Sequence, residues 1–140
     1  MRTSLAAISL LLIFSVGCSS PPPTTFNAIN QQIFAHSCAN FTVCHDKQGA
    51  KEANMLDLAT DPYNALVNVP PFNDLANSQG LMRVKPGDPD HSFILIKLQL
   101  PLASTDDGGY QASMPSGNPH LPDFDISGIK TWIMNGAANN

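Results

Sequence analysis

Cys38 and Cys44 stand six positions apart in the stretch AHSCANFTVCHDK (35–47), and His45 follows the second cysteine directly. Groups at i and i+6 on an α-helix point about 240° apart. If both sulfurs meet one object, residues 39–43 must leave the helix and bulge outward, which the β-branched Thr42 and Val43 tolerate. A loop this short can also bring the two Cα atoms within the roughly 4.4–6.8 Å that a disulfide requires. Either way, two points of the chain are drawn together, by each other or by a third body.

The compartment follows from the first residues. MRTSLAAISLLLIFSVGCSS carries one charge, Arg2, then an apolar run from Leu5 to Val16 and small residues. That run has the layout of a secretory signal and is short for a bilayer span. The stretch Ser15-Val16-Gly17-Cys18 resembles the lipobox of bacterial lipoproteins, which implies cleavage after residue 17 and a lipid on Cys18. Ser19, where some lipoproteins carry aspartate, is similar to those sent to the outer membrane. The expected protein is therefore exported and held by its lipid at a membrane, facing the periplasm. With Cys18 lipidated, Cys38 and Cys44 remain as a matched pair in an oxidising compartment.

Seven Lys and Arg face eleven Asp and Glu, a formal charge of −4. Loss of Arg2 with the leader makes it −5, six against eleven. No basic run occurs, so nucleic acid is not an expected partner. Residues 18–25, CSSPPPTT, read as an extended Ser/Pro/Thr tether. One domain of 26–140 follows.

Within it the periodicity predicts an all-α fold of about four short helices joined by long irregular loops. Phe26, Ile29, Ile33 and Phe34 form one apolar stripe that leads into Cys38. Asp61-Pro62 is an N-cap with proline at the first helical position, opening a helix through Tyr63, Leu66 and Val67. Asp88-Pro89-Asp90 opens a dense apolar segment through Phe93, Ile94, Ile96, Leu98 and Leu100, a well-buried helix or a strand, with the acidic start and the length favouring helix. Pro122, Asp123 and Asp125 begin a last helix whose buried face is Ile126, Ile129, Trp132 and Ile133, with Gly136 as its C-cap. GAKEANM, PPFNDLANSQG and ASTDDGGYQASMPSGNPH read as loops. Only 7% of residues are aromatic, so the helices bring little bulk to a core. A large apolar cofactor would supply it, and a disulfide staple is the other remedy for so small a domain.

Two thiols, a histidine directly after the second, and a methionine on a remote loop are the groups that hold a c-type haem: thioether links to the ring, imidazole on one iron face, thioether sulfur on the other. Met114 lies in GGYQASMPSGNPH, where helical packing gives it no purpose. The order of SCANFTVCH, MLDLATDPYNALVNV, RVKPGDPDHSFILIKL and MPSGNPHLPDFDISGIKTWIMNGA resembles the small cytochrome c-like domains of exported bacterial proteins. The likeness covers nearly all of residues 26–138. It departs from the family's usual spacing by placing five residues between the cysteines instead of two. It implies Cys38 and Cys44 as haem thiols, His45 as proximal ligand and Met114 as distal ligand. It further implies one covalent haem c and single-electron exchange with a redox partner protein, without enzymatic turnover. The alternative is a haem-free lipoprotein that keeps this frame, closes a Cys38–Cys44 disulfide and serves as a binding or structural module.

Other residues carry less. His36 and His91 read as solvated. His120 with His45 and Met114 could form a soft copper site. Met55 and Met134 read as fillers of core gaps. Arg83 and Lys85 are candidates to pair with haem propionates, against the ordinary alternative of solvated loop cations. Ser37 and Ser92 have no triad-like partners.

Overall fold

The computed structural model describes residues 20–40, 44–51, 55–101, 109–116 and 119–140. The signal segment, Cys18, Thr42 and Val43 lie outside them. Thr25 opens helix α1, Phe26–Ile29, its hydroxyl oxygen accepting from the Ala28 N–H. The helix continues as wide π-helical turns over Asn30–Cys38. These end with the Ala39 N–H donating to the Phe34 carbonyl at 2.8 Å. Such wide turns are uncommon and cluster at functional sites. The expected stripe is realised: Phe26, Ile29, Ile33 and Phe34 are all buried.

A short 3-10 turn spans Gly49–Lys51. Helix α2, Pro62–Leu66, has the predicted Asp61 cap and proline start. Helix α3, Asp74–Ser78, falls in a stretch read from sequence as loop. Its signal is local: the buried Asn73 side chain accepts from the Ala76 N–H at 2.9 Å, and Asp74 sits at the favourable end of the dipole.

The helix expected from Pro89 through Leu100 is broken in two. Pro89–His91 is a 3-10 turn capped by Asp88, and α4 is Phe93–Gln99. Between them Ser92 is extended and fully buried. Its hydroxyl accepts from the Lys85 N–H at 2.9 Å and donates to the Asp88 carbonyl at 2.8 Å. Those bonds stop the helix from running through. Helix α5, Asp123–Met134, closes the fold with Gly136 in left-handed conformation beyond it.

Among the described residues the regular structure is helical, with two isolated parallel bridges, Val67 with Val84 and Met82 with Ser92. The segment 82–84 is stitched on both sides. Arg83 N–H donates to the Val69 carbonyl at 2.7 Å, and the Arg83 carbonyl accepts from the Ile94 N–H at 3.1 Å. This segment therefore links the end of α2 to the start of α4.

Helix α5 packs on α1 and α4. Ile129, Trp132 and Ile133 are buried, and the Trp132 ring lies 5.5 Å from that of Phe26. Trp132 Nε1 donates to the Ala138 carbonyl at 2.8 Å, and Tyr63 Oη to the Ala137 carbonyl at 3.0 Å. Met55 and Met134 are not core fillers, being 64% and 53% exposed. Met134 follows Ile133 and so is rotated about 100° off the buried face; Met55 has a left-handed backbone, φ 58°.

Pro23, in the stretch assigned to a tether, is buried. It lies on Gly128 of α5 so closely that a Cβ there would collide with the Pro23 carbonyl oxygen. Helix propensity favours alanine over glycine by about 1 kcal/mol. Overpacking against a backbone atom costs about 1–3 kcal/mol and should outweigh that gain. Gly128→Ala is expected to lower the denaturant midpoint. A raised midpoint would show that the 20–25 segment does not pack on α5.

Candidate functional site

The four residues singled out by sequence converge. Cys38, Cys44, His45 and Met114 all line one cavity of about 310 Å³. Its walls are mainly apolar, including Phe34, Leu56, Leu58, Leu66, Ile94 and Leu121, with Phe72 exposed among them. The volume falls at the lower end of the range for ligand pockets.

Helix geometry brings Cys38 there. Phe34, Ser37 and Cys38 share one face of the wide helix, and all three line the cavity. Ala39, with φ −107° and ψ 11°, leaves the helix immediately afterwards. The His45 N–H then donates to the Cys38 carbonyl at 3.0 Å, pinching the loop at its base. Thus Cys44 returns to the same wall despite the five residues between the cysteines. The two thiols are unbridged.

His45 is strapped on two further sides. Its carbonyl accepts from the Leu58 N–H at 2.7 Å, and Nδ1 lies 3.1 Å from the Leu56 carbonyl. A carbonyl can only accept, so Nδ1 carries the proton and Nε2 keeps the lone pair, the arrangement of a ligating imidazole. Burial lowers the pKa of the imidazole, favouring its neutral form. The cations Arg83 and Lys97 act in the same direction, while the Leu56 carbonyl opposes them. Burial, reinforced by the neighbouring Cys44, pushes the Cys38 thiol up to about 12.

Met114 enters from a distant part of the chain. Its N–H donates to the Lys97 carbonyl at 2.8 Å, fixing the loop to α4. It is half-buried and packs against the main core. The thioether and the imidazole are thereby offered to one space.

Of the two expected cations only Arg83 reaches the cavity. Its Nη1 donates to the Ala65 carbonyl at 2.9 Å. Lys85 is engaged elsewhere, paired with Asp88 at 3.0 Å. The second lining cation is Lys97, missed at the sequence level because the apolar density of FILIKLQ drew attention to packing. Its isolation in that run was the available signal. No carboxylate lines the cavity among the described residues.

The histidines set aside stay aside. His36 is exposed, and His91 bonds to Asp88. His120 Nδ1 lies 3.2 Å from the Leu98 carbonyl, and His120 is not among the lining residues. The cavity therefore does not assemble the His45–His120–Met114 copper set. Among the described residues no three His, Cys, Asp or Glu side chains are grouped to hold a bare metal ion.

Comparison with protein-family models, with curated proteins and with solved structures returns no match. Among the described residues no helix is long and apolar enough to cross a membrane.

The thiol chemistry is testable. With its pKa near 12, Cys38 should alkylate with iodoacetamide at pH 8 on the order of a hundredfold more slowly than free cysteine in the reduced, cofactor-free chain. Peptide mass mapping over time reads the rate. Labelling at the free-cysteine rate would mean that Cys38 is not enclosed.

Proposed function

We propose that this protein is an exported, lipid-anchored monohaem c-type cytochrome that carries single electrons. The observation that supports it is the convergence of Cys38, Cys44, His45 and Met114 on one apolar cavity. The donor set suits the group. Cys38 and Cys44, both free thiols, would hold the ring covalently, each S–H adding across a vinyl C=C with sulfur to one carbon and hydrogen to the other. The Nε2 lone pair of His45 and the Met114 thioether would hold the iron. Apolar walls suit the macrocycle, and Arg83, which reaches the cavity, suits a propionate.

When bound, the haem supplies a ferric/ferrous couple that takes and gives one electron. The chain's residues do the rest. His45 is held in its ligating tautomer by the Leu56 carbonyl. The walls are mainly apolar, and apolar surroundings with a thioether ligand favour a higher potential. No substrate needs to enter. The lipid on Cys18 and the stretch that follows would keep this domain at the periplasmic side of a membrane, the outer one by the Ser19 likeness, within reach of a redox partner.

The protein purified from an exporting host should be coloured, with a strong Soret band and haem that stays on the chain in a denaturing gel. Met114→Leu should shift the potential or open the iron to added ligands; an unchanged spectrum and potential would remove Met114 as a ligand. A colourless protein whose thiols appear only after reduction would instead establish the disulfide-closed module. Cys18→Ser should move the protein from the membrane to the soluble fraction, and persistent membrane attachment would refute the lipid anchor.

A further inference from the structure

Lys97 holds the Met114 loop at three points. Its backbone carbonyl accepts from the Met114 N–H at 2.8 Å. Its ammonium donates to the Tyr110 carbonyl at 3.0 Å and to the Ala112 carbonyl. Residues 110, 112 and 114 are thus gripped in alternation by one residue of α4. The grip is itself braced. The ammonium lies 6.0 Å from the Phe93 ring centroid, one helical turn back. That ring meets the Tyr110 ring at 5.6 Å and 61°. Tyr110 Oη donates to Gln79, and Asn73 Nδ2 donates to the Gly109 carbonyl at 2.9 Å, so the start of the loop is tied to the α3 region as well.

These contacts distinguish Lys97 from a solvated helix lysine. An ammonium on a short helix is ordinarily free to reach water, whereas this one is half-buried and bonded to two loop carbonyls. It also lines the cavity that Met114 lines. We infer that Lys97 is a positioning residue for Met114: its ammonium holds the loop closed, and thereby sets how easily another ligand could replace the thioether. The inference rests on the proposed function for its consequence at iron. The grip on the loop stands independently of it.

Lys97→Leu removes the two ammonium bonds and leaves the backbone bond, while Lys97→Arg keeps charged donors at the same place. Lys97→Gln, which removes the charge without adding an apolar side chain, serves if the leucine variant does not fold. Two measurements on the full-length protein test the inference. Amide hydrogen exchange over residues 109–116 should be about tenfold faster or more in Lys97→Leu, because charge-assisted bonds are lost, and near wild type in Lys97→Arg. In the ferric haem-loaded protein, affinity for added imidazole should rise by about tenfold or more in Lys97→Leu. It should approach that of Met114→Leu and be restored by Lys97→Arg.

The outcomes separate the two ideas. Unchanged exchange and imidazole affinity in Lys97→Leu and Lys97→Gln overturn the inference. Faster exchange with unchanged imidazole affinity also overturns it, and leaves the cytochrome reading standing. A haem-loaded protein in which Met114→Leu itself binds imidazole no better than wild type removes Met114 as ligand, and the role of Lys97 with it. A colourless wild-type protein refutes the proposed function and the ligand-positioning role together, whatever the exchange rates show.

Discussion

The hydrogen bond from the His45 N–H to the Cys38 carbonyl, 3.0 Å long, joins the end of the first helix to the residue after the second cysteine. One such bond contributes only about 1 kcal/mol. Its geometric effect is larger. It turns a spacing that would scatter two sulfurs around a helix into a loop whose two ends share one wall. The Leu56 carbonyl and the Leu58 N–H then fasten His45 to the next segment. A side chain with a defined tautomer results, set in the wall of the cavity.

Short helices cannot fill a core alone, and this fold shows how the remainder is organised. Helix α5 with α1 forms one well-packed side, centred on Trp132, Ile129, Ile133 and Ile29. The opposite side is held by backbone stitching. The 82–84 segment links α2 to α4 and delivers Arg83. A loop pinned by α4 and by Asn73 and Gln79 delivers Met114. The cavity lies where dense packing gives way to these polar ties.

Much of this was legible in the sequence, and the failures have physical causes. The Asp61-Pro62 start and the 26–34 stripe are local signals and survive intact. Helix α3 was missed because five residues with one buried member, Ala76, make no stripe; its information lay in the Asn73 cap. The break at Ser92 depends on bonds to Lys85 and Asp88 made through a turn, which periodicity does not register. Cys38, Cys44, His45 and Met114 stood out by residue type and order, and the fold brings all four to one cavity. Lys97 did not stand out, because its function comes from carbonyls thirteen and fifteen residues away. Met55 and Met134 were misplaced by residue type alone, when position on the backbone decides exposure.

The position of Cys38 bears on how it reacts. With its pKa raised to about 12 by burial, the sulfur holds little thiolate at neutral pH, so its nucleophilicity in the folded, reduced chain is low. Cys38 is nevertheless only half-buried and faces the cavity, so the walls slow its reactions without sealing it off.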